Sequence, residues 1–409
     1  MASTEYIPHE LLKSLLEMIR MTDDVDVLRD STQWLIEQLL EADVTQQIGA
    51  SRYEHTETRT TQRNGTRDRG WDTRLGHIPL KIPKLRKGSY YPDWLLDRSR
   101  PTEKALVGVI MEAYINGVST RKMERVVKEM GLEGMDKSRV SRINQGLDQR
   151  VERFMTRPLE GPYPYVWLDA TFPKVREDGR VQSTALVTAI GVNQEGYREI
   201  LGISLGSSEN ESFWKAFLRR LVERGLTGVR LVISDSHQGL QNAASQVLTG
   251  ASWQRCRTHF MRDILTHVPA SGQSEVTELI RTIFEQPNRE HAQRQTDRIV
   301  AELEHRFSKA AGLLEQARED LMAHMHFPKS HWRKLRSTNP LERLHREIKR
   351  RFRVVGIFPN RSAVMRLGGA LLLEQHEEWI SGRRYFSEAS IAEVLNPVEH
   401  HRLNEQAAN

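Results

Sequence analysis

Between residues 164 and 253 the apolar pattern of the chain changes period several times, and the order of those changes restricts the fold more than any other feature. Residues 164–175, 181–192 and 197–205 read as strands, with Glu177-Asp-Gly-Arg180 and Asn193-Gln-Glu-Gly196 as tight-turn signals between them. The pattern predicts an antiparallel meander. Phe213, Trp214, Phe217, Leu218 and Leu221 then share the inner face of a helix over residues 209–224. Residues 229–234 are too apolar for an edge strand, a further helix is expected near 239–248, and a short strand around Trp253.

Three strands, a helix, a strand, a helix and a strand is the order of a ribonuclease H-like fold, in which the first and fourth strands lie side by side. The expected class is therefore α/β, a ribonuclease H-like mixed sheet. Asp169 ends one of those two strand patterns and Asp235 ends the other, so they become neighbours. From 259 to 329 the period returns to that of helices, through groups such as Val276, Leu279, Ile280 and Ile283, which reads as an all-helical insertion. The chain re-enters the mixed domain at 331–353 and continues through a helix over 364–380.

Ahead of the sheet, Leu11, Leu12, Leu15, Leu16, Met18 and Ile19, then Val25, Leu28, Trp34, Leu35 and Leu39, recur at helical spacing, giving two amphipathic helices. Residues 52–87 are rich in Arg and Lys, with Ile78, Leu80 and Ile82 alternating against polar neighbours and Pro as in an edge strand of a basic hairpin. Residues 118–144 have the form of a helix-turn-helix, whose second helix would turn Ser138, Arg139, Ser141, Arg142 and Asn144 toward a groove; plain helical packing is the alternative. The expected division is 1–100 (helical and basic), 101–158 (helix-turn-helix-like, DNA-binding), 159–256 (first part of the catalytic domain), 257–330 (helical insertion), 331–395 (second part, with the Glu342 helix) and 396–409 (polar tail).

The formal charge of +6 and pI near 9.4 are a moderate basic excess, so where the cations cluster matters more than their sum. A single cysteine, Cys256, excludes an internal disulfide and a multi-thiolate site. With no secretory leader pattern and no apolar run of membrane-spanning length, a cytoplasmic protein is expected.

Asp169 sits in Trp167-Leu-Asp-Ala-Thr171, Asp235 in Ile233-Ser-Asp235 and Glu342 in Asn339-Pro-Leu-Glu342. Each has a purely structural reading: a turn-starting Asp, an N-cap, and the N3 Glu of a capping box begun by Asn339. Taken together, converging carboxylates can instead hold hard cations for phosphoryl transfer. With Cys256-Arg-Thr-His259, Arg63-Asn-Gly-Thr-Arg67 and Lys81-Ile-Pro-Lys-Leu-Arg86, these motifs resemble the Mutator-type transposases of bacterial insertion sequences over most of the chain. Arg262-Asp263 departs from the Arg-Asn expected in close relatives.

The resemblance implies a DNA transposase that binds terminal inverted repeats and uses an Asp-Asp-Glu triad, Asp169, Asp235 and Glu342, as catalytic and metal-binding residues. Two Mg²⁺ ions, replaceable by Mn²⁺, would be the cofactors. Zinc is not expected, because Cys256 and His259 offer only half a structural site; they are read as structural or as supporting the active site. Arg343, Arg346, Lys349, Arg350 and Arg353 on the Glu342 helix, with Arg139 and Arg142, are the expected DNA contacts, and Arg351 belongs to the same basic run. Partners would be double-stranded DNA, both repeat ends and target, and further copies of the chain, a dimer or larger at synapsis. A bacterial cytoplasmic protein, at the nucleoid when DNA-bound, follows. The alternatives are a DNA-binding regulator derived from a transposase and a ribonuclease H-like nuclease without joining activity.

Overall fold

A computed structural model of the chain describes residues 25–96, 102–130, 132 and 135–396. The apolar group Leu11 to Ile19 and the tail beyond Asn396 lie outside them. The fold is mixed α/β and divides into two compact units, residues 1–146 and 147–409.

In the first unit α1 (Val25–Ile48) lays Ile36, Leu40, Val44 and Ile48, one per turn, against Ile78, Leu80 and Ile82 of a hairpin. The buried stripe is not the expected one, since Leu28 and Leu39 are 46% and 47% exposed. The hairpin pairs β1 (Arg63–Thr73) with β2 (Gly76–Leu85), and its alternation places the isoleucines inward and Lys81 outward. Three helices follow: α2 (Lys104–Ile115), α3 (Thr120–Glu129) and α4 (Lys137–Thr156), whose final turns belong to the second unit. Ser119 caps α3 by accepting the Lys122 N–H, and Met123, Val127, Val140 and Ile143 share a core.

The second unit is built on a five-stranded sheet of order β7-β6-β3-β8-β9. Its strands are β3 (Tyr165–Thr171), β6 (Ala185–Val192), β7 (Arg198–Gly206), β8 (Leu231–Ser234) and β9 (Ser252–Arg255), separated in sequence by β4 (Lys174–Glu177) and β5 (Arg180–Ser183). β3 runs antiparallel to β6 and parallel to β8, and β8 runs parallel to β9. On one face α5 (Glu211–Glu223) and α6 (Gln238–Val247) bring Trp214, Phe217, Leu218, Leu221 and Leu240 onto Val166, Leu168, Val187 and Val232. Each such side chain removed from water stabilises the layer by about 1.5–3 kcal/mol. Residues 165, 167 and 169 alternate to the other face.

The expected strands 164–175 and 181–192 are each broken. Pro173 cannot donate to a ladder, and the chain leaves the sheet there to form the β4–β5 hairpin. Its turn is Asp178-Gly179, both with φ above zero (48° and 77°), as a two-residue hairpin turn requires. This hairpin joins β10 (Ile357–Phe358) in a separate three-stranded sheet, where β10 runs parallel to β4. After β9 come α7 (Arg257–Leu265), α8 (Gln273–Ile283), α9 (Arg289–Glu304) and α10 (Ser308–Met322), with their own core of Phe260, Ile264, Val276, Ile280, Ile299 and Leu314. Then α11 (Lys329–Leu335) leads to α12 (Asn339–Val355), and α13 (Arg361–Ser381) and α14 (Glu388–Leu395) close the described chain.

Candidate active site

Register decides the first half of the site. Tyr165 pairs with Leu231, Val166 with Val232 and Trp167 with Ile233, so continuing both strands brings Asp169 beside Asp235 on one face. Asp169 lies inside β3, opposite Thr188, and is therefore not the turn-starting residue its sequence position allows. Its Oδ1 accepts the Ala170 N–H at 2.8 Å and its Oδ2 lies 3.1 Å from His345 Nδ1. Asp235 is not an N-cap either, because His237 Nδ1 takes that role toward the Leu240 N–H. Burial pushes the Asp235 carboxyl above its ordinary range, the Asp169 charge pushes it further, and His259 and His237 oppose the rise.

Glu342 comes from α12, and its capping reading also fails. Thr338 is the N-cap, which leaves Glu342 one position beyond the capping-box site, and no side chain caps that end. Instead the Thr338 N–H and hydroxyl both point at Cys256 Sγ, at 3.3 and 3.2 Å. Glu342 Oε1 is buried without a hydrogen bond, 3.5 Å from His259 Nε2 and 3.6 Å from Arg262. The Trp167 indole donates to Ser337 O at 3.1 Å, fixing the start of α12 over the carboxylate face of the sheet.

Cys256 and His259 act as the hinge pin of this corner. Burial raises the thiol pKa, but the neighbouring His259 and the two Thr338 donors outweigh it and leave a net lowering. His259 is held up at about 9, first by Cys256, against the opposing effect of burial, with the charges of Asp169 and Asp235 adding to the rise. It is thus a cation at neutral pH, facing all three acidic residues. Asp263, where Asn was expected, pairs with Arg255 at 2.7 Å and leaves Arg262 turned to Glu342.

Three residues escaped the sequence reading. His345 is buried one turn beyond Glu342 on α12, hidden in a run of arginines. Glu209 and His237 lie close to the aspartates: burial raises the Glu209 carboxyl, His237 opposes, and Asp235 and Asp169 add to the rise. Glu209 also accepts the Trp214 indole N–H at 3.2 Å. A strand–helix junction and a His two residues after Asp235 were the available signals.

Of the expected DNA contacts, Arg343, Arg346, Lys349, Arg350 and Arg353 all lie on the exposed side of α12, opposite buried Leu341, Leu344, Ile348 and Phe352; Arg350 also pairs with Glu347 at 2.9 Å. In the first unit Arg142 is exposed, whereas Arg139 pairs with Asp72 at 2.5 Å and Asn144 is buried rather than turned outward. Among the described residues no three His, Cys, Asp or Glu side chains close to metal-holding geometry, and no helix is long and apolar enough to cross a membrane.

Asp169 in β3, Asp235 just past the end of β8 and Glu342 on the basic helix α12 thus lie around His259. The chain belongs to the Mutator family of transposases, whose family model matches residues 6–382, and it is a DNA transposase. It is 48% identical over 361 residues to the transposase for insertion sequence element IS1081 of Mycobacterium tuberculosis, covering 88% of this chain and 87% of that one. To the transposase for IS256 in transposon Tn4001 of Staphylococcus aureus it is 38% identical, covering 93% and 98%. To that for ISRM5 of Rhizobium meliloti it is 37% identical, covering 88% and 91%.

Proposed function

We propose that Asp169, Asp235 and Glu342 form an Asp-Asp-Glu triad on a ribonuclease H-like domain, and that the chain uses it to cut and transfer DNA strands at the terminal inverted repeats of its element. The observation carrying this reading is the register that sets Asp169 beside Asp235 on the face over which α12 begins. Three carboxylate side chains are the donor type that a divalent cation, Mg²⁺ or Mn²⁺, takes. Asp235 is destabilised as an anion by burial and by the Asp169 charge, which a bound cation would relieve, and Glu342 Oε1 is buried with no hydrogen bond, facing only the charges of His259 and Arg262. When bound, two such cations supply charge neutralisation and a more acidic water or DNA 3′-hydroxyl.

The protein side chains orient and exclude. His345 and the Ala170 N–H fix the Asp169 carboxylate, while cationic His259 and Arg262 flank Glu342. Arg343, Arg346, Lys349, Arg350 and Arg353 hold phosphates without reading sequence. No residue need bond covalently to DNA. Sequence reading falls to the first unit, through the basic hairpin and the helix carrying Arg139 and Arg142, and residues 257–330 act as an insertion into the catalytic domain. Joining needs two ends at once, so assembly of two or more copies at a bacterial nucleoid follows.

The test is purified protein with DNA carrying the element's ends, with and without Mg²⁺ or Mn²⁺. Metal-dependent nicking and joining supports the reading. Binding without cutting gives the regulator, and cutting without joining gives the nuclease.

A further inference from the structure

The geometry points to His345 as a positioning residue that locks the Asp169 carboxylate and couples it to the helix bearing Glu342. This inference rests on the triad reading. His345 follows Glu342 by three residues, hence on a neighbouring face of α12, but it belongs to the buried stripe with Leu344 and Ile348. Its ring bridges two strands: Nδ1 lies 3.1 Å from Asp169 Oδ2, and Nε2 lies 3.2 Å from Thr188 Oγ1. Thr188 is the register partner of Asp169 across β3 and β6. One imidazole therefore pins α12 to the sheet at the very pair of residues where the acid projects.

An ionised carboxylate only accepts, so Nδ1 donates to Asp169, while Nε2 meets the Thr188 hydroxyl, which can donate or accept. The other carboxylate oxygen takes the Ala170 N–H at 2.8 Å. Anchoring one lone pair on each oxygen fixes the carboxylate plane and leaves the remaining lone pairs for a cation. A ligand held this way binds metal more tightly than one free to rotate. Exposed neighbours such as Arg346 cannot substitute, because only the buried stripe reaches the sheet.

Amide side chains separate the two contacts. In His345→Asn the amide nitrogen can take the place of Nδ1 and still donate to Asp169, whereas His345→Gln reaches the position of Nε2 and keeps only Thr188. The full chain is assayed three ways: Mn²⁺ affinity by paramagnetic resonance without DNA, cleavage of end-bearing DNA, and DNA binding without metal. His345→Asn is expected to stay within about threefold of the parent in Mn²⁺ affinity, while His345→Gln and His345→Leu lose about 10–100-fold in both Mn²⁺ affinity and cleavage. Metal-free DNA binding should hold in all three.

Parent-like Mn²⁺ affinity in His345→Leu overturns the inference. So does the reverse order, Gln tolerated and Asn damaging, which would make the ring a packing strut to Thr188. Where the leucine variant fails to fold, the Asn and Gln pair still decides. Asp169→Asn run in parallel keeps the two levels apart: cleavage by that variant removes the triad reading itself, whereas a silent Asp169→Asn beside an active His345→Leu removes only the role of His345.

Discussion

Replacing Cys256 by Ala tests how the corner beneath Glu342 is held. The sulfur accepts from the Thr338 N–H at 3.3 Å and from its hydroxyl at 3.2 Å, and Thr338 has no exposed surface. A buried donor left without an acceptor costs about 1–3 kcal/mol. Sulfur is a weak acceptor and one water can serve both donors, so the loss for the pair is about 2–3 kcal/mol. It is felt at the N-cap of α12, directly before the Glu342 turn. Because the chain has two units, hydrogen exchange in that first turn reads the loss more cleanly than one melting temperature. The same substitution removes the chief cause that holds His259 at about 9. A raised histidine contributes stability that is present in full below its unfolded value of about 6.5 and is lost as pH rises through 9. In Cys256→Ala the His259 titration, followed by NMR of labelled ring carbons, should fall toward 6.5, and the loss of stability across that window should shrink. Cys256→Ser restores an acceptor and should recover part of both effects. Unchanged exchange at α12 together with an unmoved His259 would show that Cys256 does not hold this corner.

Other outcomes follow from the same structure. His324, His331 and His376 are held down to about 4, chiefly by burial, so they are neutral in the fold and stability should fall as pH drops from 6.5 toward 4; a flat thermal-melting profile over that window would contradict this. Neutralising Arg346 or Lys349, both exposed on α12, should weaken binding to all DNA sequences and lower the salt slope by roughly one per lost phosphate contact, as read by anisotropy titrations at several ionic strengths. Gly196→Ala should destabilise the second unit by about 1–3 kcal/mol, because φ is +88° and the added Cβ would meet Phe386 O at 2.1 Å; a parent-like thermal transition would refute the close approach.

The sheet core was legible because its strands are apolar runs of strand length, and a parallel pair buried on both faces writes a continuous signal such as Leu231 to Ser234. That signal was enough to bring Asp169 and Asp235 together. What stayed hidden depends on contacts distant in sequence. Ile357–Phe358 is too short to show a period, so its pairing with β4 and the departure of the β4–β5 hairpin from the meander had no local mark. Thr338 meets Cys256 across most of the helical segment, and that contact moves the cap and takes Glu342 out of its capping box. His345 looked like one more polar residue in a basic helix, and Asn144 like an outward one. Burial, which a polar side chain does not announce, decided both.

Cleavage of repeat-bearing DNA with Mg²⁺ or Mn²⁺ by Asp169→Asn, Asp235→Asn and Glu342→Gln, with binding to the same DNA measured alongside, decides whether the three acids form one site. Each variant is expected to bind the ends as the parent does and to cut nothing. Parent-like cleavage by any one of them removes that residue from the site.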